Sequence, residues 1–318
     1  MRQTSDHTSN IIAMNNIWKI VIRIGIGLFF IVSAVLKLLS LDSFELYIYS
    51  FDIVNFVWSG LAARAIIACE LLVGILLIAK IRYKEAWWLA MLMLAGFSLL
   101  LVYVMLFRHD SNCHCMGDLV EIKPSISLIK NLIAIALLLF VRKEDDYQIG
   151  PLGRKLVIIG AFVAALVPPF VLFPMDGVYN LFAKSDELEY SEIDFHALMA
   201  DSTMQDVDLA HGNYIVGIIS SGCGFCKTSC LKMSEIVSNN QLDTNKILYF
   251  VWGDSASVQP FQEETKTESF RYVRVSPIAA IRVVNGQFPT YLFIRNGEVE
   301  ATADLRHLTE KAVREHLQ

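Results

Sequence analysis

The sequence predicts an α-helical transmembrane bundle, with a four-helix core plus a fifth spanning helix, followed by a small α/β domain. Hydrophobic residues make up 54% of the 318 residues and charged residues only 19%, whereas soluble globular chains have about 45–50% and about 25%. The apolar residues concentrate in five stretches of residues 1–175. Strand-like and helix-like segments then alternate through residues 190–318, which is typical of an α/β domain.

Each of the five apolar stretches approaches the roughly 20 residues that a bilayer-spanning helix needs. The predicted spans are residues 17–39, 60–79, 86–107, 125–141 and 156–175. The fourth stretch is barely long enough, so a short buried helix is its alternative. Pro168 and Pro169 predict a kink near the far end of the fifth.

The distribution of Lys and Arg predicts the orientation of these spans. Cationic residues concentrate in the loops after the second and fourth spans, whereas the loop at 40–59 contains none. The positive-inside rule therefore places the N-terminus in the cytoplasm and the C-terminal domain outside. In a bacterium this means the inner membrane and the oxidising periplasm, where dithiols can cycle as disulfides.

Composition divides the chain into five predicted segments. They are a cytoplasmic leader (1–16), a four-helix membrane domain (17–142), a cytoplasmic loop with the fifth transmembrane helix (143–178), a tether (179–189) and a periplasmic α/β domain (190–318). In the last segment we expect strands at 214–220, 247–253 and 270–275, a hairpin that turns at Asn296–Gly297, and a final helix at 308–317. The net charge of −5, without a dense Lys/Arg run, argues against a nucleic-acid partner.

Cys223 and Cys226, separated by a glycine and a phenylalanine, predict a redox-active dithiol. They follow an apolar strand and open a helix. This spacing puts both sulfurs within disulfide reach, and the helix N-terminus stabilises a thiolate on the first, the attacking species in exchange. A static disulfide and a structural zinc site are the alternatives, the zinc site drawing on Cys230, His196 or His211.

A second pattern, PTYLFIRNGEVE beginning at Pro289, supports the dithiol interpretation. The two patterns together resemble the thioredoxin superfamily over about residues 190–318. The resemblance implies that Cys223 is the exposed nucleophile and Cys226 the buried resolving thiol. It also implies that Pro289 is cis and, with Phe288 and Thr290, lines the substrate groove.

Cys230 lies four residues after Cys226 and therefore on the same face of the predicted helix. A buried, inert core cysteine is one interpretation. An alternative resolving thiol is the other.

A second thiol cluster, Cys113-His114-Cys115, lies in the outer loop between the third and fourth spans. Two cysteines one residue apart form a strained, easily reduced ring, which predicts an exchange site. His114 could hold a proton or a positive charge beside the thiols. A copper or zinc site with His109 or His114 as a further ligand and an inert pair are the alternatives.

Three ionisable residues, Lys37, Arg64 and Glu70, lie within the first two spans. One interpretation is that Lys37 snorkels to the headgroups and that Arg64 and Glu70 take part in an interhelical ion pair. The functional hypothesis is that Lys37 and Arg64 make the outer end of the bundle electropositive beneath the Cys113/Cys115 loop. That charge would favour thiolates or bind a quinone headgroup.

Three further patterns occur in the membrane part: the SAVLK end of the first span, the sequence Cys-Glu-Leu-Leu-Val-Gly in the second, and the Cys-x-Cys-x-Gly loop. Through them, residues 17–142 resemble the DoxX-like family, specifically its MauE (methylamine-utilisation) branch. Members are associated with thiol redox chemistry and disulfide maturation of periplasmic proteins. The resemblance implies a related role here, without implying methylamine metabolism.

These features together predict a membrane-anchored periplasmic thiol–disulfide oxidoreductase. Cys223 and Cys226 would exchange disulfides with periplasmic client proteins and with the Cys113/Cys115 pair. Cys69 alone lies inside a predicted span, and one thiol cannot relay electrons as an intrachain disulfide, so oxidation is favoured, with a quinone as candidate acceptor. No tightly bound cofactor or metal is expected. A metal-handling maturation factor and a non-enzymatic client-binding membrane protein are the alternatives.

Overall fold

A computed structural model describes residues 2–51, 53–108, 113, 122–142, 144, 146–175, 190–199 and 208–318, with side chains from residue 17 onward. The chain divides into two compact units: residues 1–48 with 58–174, and residues 49–57 with 175–318. The first unit contains the apolar helices, and the second contains an α/β sheet domain. The predicted limits of the leader, cytoplasmic loop and tether stay predictions.

The first unit is built from helices. Their bounds are α1 Arg2–Leu39, α2 Leu41–Tyr49, α3 Phe56–Ala79, α4 Tyr83–Tyr103, α5 Pro124–Phe140 and α6 Pro151–Val167. Short π-helical turns at Val104–Arg108 and Pro168–Leu172 extend α4 and α6. A π-helical turn thus begins at Pro168, because proline lacks the N–H group that a regular helix uses. The kink predicted at Pro168 and Pro169 stays a prediction.

Four of the helices are long and apolar enough to cross a membrane. Among the residues that the structure describes, these segments are Ile17–Leu39, Phe56–Ala79, Tyr83–Arg108 and Pro151–Leu172. They correspond to the first, second, third and fifth predicted spans. Helix α5 is apolar but has only 17 residues, so its crossing of the bilayer stays a prediction.

The prediction of a loop at 40–59 is partly wrong, because this segment contains helix α2. Leu41 and Phe44 of this helix are buried against α1 and α3, where Ala63 and Ile67 complete a small apolar cluster. The two side chains are three residues apart and therefore share one helix face. A helix of nine residues is too short to span a membrane, so hydropathy alone does not reveal it.

The cationic residues used to predict orientation meet at one end of the first unit. Glu144 forms ion pairs with Arg23 of α1, at 3.4 Å, and with Lys80 after α3, at 3.2 Å. Arg154 at the start of α6 pairs with Asp146. These contacts hold the two Lys/Arg-rich loops together, as the topology requires. Their location in the cytoplasm stays a prediction.

The second unit alternates helices and strands. In chain order they are α7 Glu192–Met199, β1 Asn213–Ser220, α8 Gly224–Asn239, β2 Ile247–Trp252, α9 Ser255–Thr265, β3 Arg271–Arg274, α10 Pro277–Val283, β4 Thr290–Arg295, β5 Glu298–Ala303 and α11 Glu310–Leu317. All five predicted strands are confirmed. Asn296 and Gly297 form the predicted turn with φ values of 50° and 87°.

The strands form one mixed sheet in the order β3-β2-β1-β4-β5. β1, β2 and β3 run parallel, whereas β4 is antiparallel to β1 and β5 to β4. Helices α7 and α10, which the sequence patterns did not predict, place Phe195, Leu198, Ala280 and Val283 in the core beside the sheet. They are eight and seven residues long, too short for a clear helical period.

A row of tyrosines crosses the middle of the sheet. Tyr249 of β2 and Tyr291 of β4 both lie opposite Gly217 of β1, and Tyr272 of β3 lies opposite Tyr249. A Cβ atom on Gly217 would come within 2.8 Å of the Tyr249 ring and 2.9 Å of the Tyr291 ring. The missing side chain therefore makes room for the two flanking rings.

Replacing Gly217 with alanine is expected to destabilise the second unit by about 1–3 kcal/mol, because the added methyl group overpacks a filled core. Hydrogen exchange of the full-length protein, resolved by mass spectrometry, should show reduced protection of β1 and β4. Gly222→Ala is the matched control, since its Cβ would meet nothing within 4 Å. Equal protection in the two variants would contradict the prediction.

Candidate functional site

Cys223 lies where β1 gives way to α8, as its position after an apolar strand predicts. It is the N-cap of α8, and its sulfur accepts a hydrogen bond from the Cys226 N–H at 3.3 Å. The Cys223 side chain is partly exposed, and the neighbouring Phe225 is 68% exposed. Free N–H groups at a helix start stabilise negative charge on such a sulfur. The arrangement therefore suits a thiol that attacks a partner from solvent.

Cys226 lies behind Cys223 and has no exposed surface. Burial raises the pKa of its thiol well above the ordinary value, and the Ser220 N–H, which donates to the sulfur at 3.4 Å, offsets only part of this effect. A thiol that stays protonated and shielded cannot begin an exchange with a large client. The division into an exposed first thiol and a buried second thiol agrees with what the resemblance implied.

Cys230 is also completely buried, one helical turn further along α8. Burial raises the pKa of its thiol to about 12, although hydroxyl groups of Tyr249, Tyr291 and Ser229 act in the opposite direction. The Cys230 sulfur is 3.9 Å from the Tyr291 hydroxyl. A thiol with this pKa is almost entirely protonated at neutral pH. These features favour the interpretation of Cys230 as an inert core cysteine.

The segment around Pro289 faces the same end of the sheet as the dithiol. The Phe288–Pro289 peptide bond is cis, as the resemblance implied. Thr290 pairs with Ile218 in the antiparallel β1–β4 register, and β1 runs on from Ile218 towards Cys223. The sheet therefore brings together two segments that are more than 60 residues apart in the sequence.

One residue of the predicted groove needs correction. Thr290 is completely buried, and its hydroxyl donates to the Gln287 carbonyl at 2.7 Å. It therefore supports the turn before β4 and does not line an open groove. Phe288 is partly buried, with its ring 5.6 Å from that of Trp252. Pro289 is buried, and its contact with substrates stays a prediction.

An open pocket of about 250 Å³ adjoins Cys223. Helix α9 forms one side with Phe261 and Glu264, and Lys227 of α8 pairs with Glu264 at 2.8 Å. The pocket leaves open space beside the Cys223 side chain. No motif in the sequence indicated this pocket, because α9 lies about 30 residues after the dithiol.

In the first unit, Cys113 is buried at 3% exposure. Its sulfur lies 3.0 Å from the hydroxyl of Ser127 in α5. His109, His114 and Cys115 lie outside the described residues, so the pairing of Cys113 with Cys115 stays a prediction. Ser127 was not singled out from the sequence, although a serine with Asn131 four residues later on an apolar helix is a usable signal.

Lys37 and Glu70 form a buried ion pair between α1 and α3. The Lys37 ammonium lies 2.9 Å from Glu70 Oε1 and 3.0 Å from Oε2, and it donates to the Ser33 hydroxyl at 2.6 Å. The rings of Phe44 and Phe97 lie 5.7 and 5.6 Å from the ammonium. Lys37 is only 1% exposed, so the snorkelling interpretation is wrong.

Arg64 pairs with Glu45 of α2, at 2.9 Å, and not with Glu70. Its guanidinium also donates to the carbonyls of Gly60, Phe173 and Pro174 at 3.0–3.1 Å. Gly60 lets the Glu45 carboxylate lie close to α3, because a Cβ atom on residue 60 would come within 2.6 Å of a Glu45 oxygen.

Lys37 and Arg64 are therefore both neutralised by carboxylates. The premise of an electropositive outer end made by these two cations is wrong, because two buried charges need opposite partners in a low-dielectric environment. Glu45 was missed from the sequence because its segment was interpreted as a loop.

No group of three or more metal-ligating side chains occurs among the described residues. In particular, His196 is 63% exposed beside Glu192, and His211 is 88% exposed beside Asp208. Neither belongs to a ligand set with the Cys223/Cys226 dithiol. The described residues of the second unit therefore offer no ligand set for the zinc alternative. The metal alternative for the membrane cluster rests on residues outside the described part.

Comparison with known proteins gives one match for the membrane part and one for a longer stretch. Residues 15–142 match the family model described as methylamine utilisation protein MauE. The chain is also 31% identical over 179 residues to protein TlpB of Flavobacterium psychrophilum. This match covers 52% of the chain and 47% of TlpB, so the chain spans about half the length of its curated relative.

Among solved structures, a secreted disulfide oxidoreductase of Mycobacterium tuberculosis, described as homologous to DsbE of E. coli, matches 34% of this chain and 82% of its own length. Its identity is 12% and its TM-score 0.28.

The fold of the second unit is evident from its own topology. A mixed sheet carries a Cys-x-x-Cys motif at a strand–helix junction, with a cis-proline at the start of the neighbouring antiparallel strand. This is a thioredoxin-like arrangement. The wider DoxX-like relationship of the first unit stays a prediction. Residues 15–142 thus match the MauE family model, and they are joined in one chain to an α/β domain of thioredoxin-like fold.

Proposed function

We propose that this chain is a membrane-anchored thiol–disulfide oxidoreductase whose thioredoxin-like domain works in the periplasm. The observation that carries the proposal is the asymmetry of the dithiol. Cys223 is partly exposed at a helix N-terminus, whereas Cys226 is buried with a raised pKa. Exchange through a mixed disulfide requires two groups, an attacking thiol and a shielded resolving thiol.

In the proposed reaction, the Cys223 thiolate attacks a disulfide of the client. One client sulfur leaves as a thiolate and takes up a proton, while the other remains bonded to Cys223. Cys226 then loses its proton and attacks the Cys223 sulfur, which releases the reduced client and forms the Cys223–Cys226 disulfide. The same steps in reverse oxidise a client dithiol, so the client and the redox partner determine the direction.

The finer part of the proposal couples the two thiol pairs. The Cys113/Cys115 pair would exchange with the Cys223/Cys226 dithiol and pass two electrons to a quinone, which would take up two protons. The MauE match supports it, because the matched residues 15–142 include both Cys113 and Cys115. Glu70 and His114 are candidates for tuning these thiols or holding the quinone headgroup. The positive-inside prediction puts both pairs on the periplasmic side.

The test is to trap the mixed disulfide. In Cys226→Ala the resolving thiol is missing, so we expect Cys223 to accumulate covalently linked partners, identified by mass spectrometry of non-reduced peptides. A Cys223–Cys113 or Cys223–Cys115 peptide supports the coupled version. Cys230→Ala is the matched control and should trap nothing, because Cys230 is inert in the proposed cycle.

Two other outcomes would count against parts of the proposal. If Cys223 is linked only to other periplasmic proteins, the exchange function stands and the coupling between the two pairs is wrong. If Cys223 stays free in Cys226→Ala, thiol exchange by this domain is wrong.

A further inference from the structure

Cys113 is held at the beginning of helix α5. Its backbone N–H donates to the carbonyl of Ile122, two residues before the helix begins, at 3.1 Å. Its side chain is 3% exposed. Burying a protonated thiol costs little free energy. A buried thiolate, in contrast, needs hydrogen-bond donors that replace the water it has lost. Thiol exchange proceeds through the thiolate, so the donors around Cys113 decide whether it can react.

Ser127 supplies such a donor. Its side chain is completely buried, and its hydroxyl lies 3.0 Å from the Cys113 sulfur. It belongs to the first turn of a 17-residue helix, where the helix dipole also favours negative charge. Lys123 caps this turn through its carbonyl, which accepts from the Ser127 N–H at 3.1 Å. While Cys113 is protonated, either its thiol or the Ser127 hydroxyl can donate in this contact. A Cys113 thiolate has no proton, so the Ser127 hydroxyl is then the donor.

The polar face of α5 continues inward from Ser127. Asn131, four residues later, is 5% exposed on a helix whose other buried residues beyond the first turn are Ala134 and Leu138. Lys130 lies close enough for its charge to act on the Glu70 carboxylate, which Lys37 already holds. Ser127 and Asn131 thus form a buried polar stripe on α5, and the contact with Cys113 lies at its N-terminal end.

We propose that Ser127 is a catalytic residue of the membrane thiol pair and that its hydroxyl donates a hydrogen bond to the Cys113 thiolate. The inference rests on the proposed function, in which Cys113 takes part in exchange. Cys113 gives up its proton, and its sulfur attacks a disulfide sulfur of the partner. The partner's S–S bond breaks, and the leaving thiolate takes up a proton. Ser127 keeps its own proton throughout and stabilises the negative sulfur before the attack.

A charged group on α5 itself gives a second test. Lys130 lies three residues after Ser127 and therefore on the same side of the helix. Lys130→Met removes a positive charge and should disfavour the thiolate. The described cations closest to Cys113 in the sequence are Arg108 after α4 and Lys123 before α5. The buried pairs of Lys37 with Glu70 and of Arg64 with Glu45 are left intact, because removing one member leaves the other buried without a counter-ion.

The experiment measures the alkylation rate of Cys113 against pH. Reduced full-length protein in lipid nanodiscs is pulsed with iodoacetamide from pH 6 to 10, and the Cys113 peptide is quantified by mass spectrometry. We expect Ser127→Ala to label about tenfold more slowly at neutral pH, with its midpoint moved to higher pH, because a hydrogen bond to a charged group is lost. Ser127→Thr retains the hydroxyl and should restore the wild-type profile.

Ser98→Ala is the matched control, since Ser98 donates only to the carbonyl of Leu94 one turn earlier in α4; its profile should equal the wild type. Equal or faster labelling of Ser127→Ala overturns the proposal, as does failure of Ser127→Thr to restore the profile in a folded protein. A midpoint that does not move to higher pH in Lys130→Met overturns the electrostatic part. The readout needs no partner protein, so it stays separate from the trapping experiment, whose failure would count against the proposed function alone.

Discussion

Replacing Cys223 with serine is expected to abolish thiol–disulfide exchange by the thioredoxin-like domain. The serine hydroxyl is not ionised at neutral pH and cannot form the mixed disulfide, so we expect the rate to fall at least about a thousandfold, to background. The measurement is the reduction or oxidation of a model disulfide peptide by full-length protein. Cys226→Ser should behave differently, because the attacking sulfur remains and one round of mixed-disulfide formation is retained.

Cys230→Ser is the control that separates the dithiol from the third cysteine of α8. Its thiol is completely buried, with a pKa of about 12, so exchange should continue at close to the wild-type rate. A Cys223→Ser protein that still turns over would show that another thiol attacks, and the assignment of Cys223 would be wrong.

The pH dependence of the second step follows from the burial of Cys226. Because burial holds the pKa of this thiol well above neutral, its thiolate fraction rises about tenfold for each unit of pH below that pKa. Release of the client from the wild-type mixed disulfide should therefore accelerate between pH 6 and 9. Stopped-flow measurement of client release would test this, and a rate that does not change with pH would contradict the role of Cys226.

Replacing Lys37 with methionine is expected to destabilise the membrane domain by about 3–5 kcal/mol, because the Glu70 carboxylate would be left buried without its cation. The two side chains are 2% and 4% exposed and their charged atoms lie 2.9 Å apart. Thermal unfolding of the purified protein in detergent measures the loss. The double variant Lys37→Met/Glu70→Leu should recover most of the stability, since replacing both members of a buried pair by apolar residues is often neutral.

The exposed pair of Arg82 and Glu85, at a similar distance of 2.8 Å, is the matched control. Its side chains are 54% and 57% exposed, so Arg82→Met should change the unfolding temperature little, because water screens the pair. If Lys37→Met is no more harmful than Arg82→Met, the Lys37–Glu70 pair does not hold α1 against α3.

Local patterns in the sequence predicted much of the fold. Four of the five apolar stretches coincide with helices long enough to span a membrane, because hydropathy over about 20 residues is what the bilayer requires. The strands of the second unit and the turn at Asn296–Gly297 were equally local signals. Helices α2, α7 and α10 were missed, since seven to nine residues give too few turns for a reliable period.

The candidate site was predictable in its chemistry but not in its surroundings. The placement of Cys223 and Cys226 at a strand–helix junction can be predicted from the neighbouring residues alone. The pocket beside Cys223 cannot, because residues of α9 form one of its sides. The tyrosines around Cys230 come from three different strands. Thr290 was assigned to a groove because it follows Pro289, whereas its position in the β1–β4 register buries it.

The sequence alone therefore determined which parts of the chain are apolar helices, that an α/β domain follows them, and which two thiols lie at a helix start. Each of these depends on residues within a few turns of one another. Only the tertiary structure decided the partners of the buried groups. Lys37 is 33 residues along the sequence from its partner Glu70, Arg64 is 19 from Glu45, and Cys113 is 14 from Ser127. The physical reason is that helix packing decides which polar group lies within hydrogen-bond distance of a buried charge or thiol. Such pairings produce no periodic pattern in the sequence.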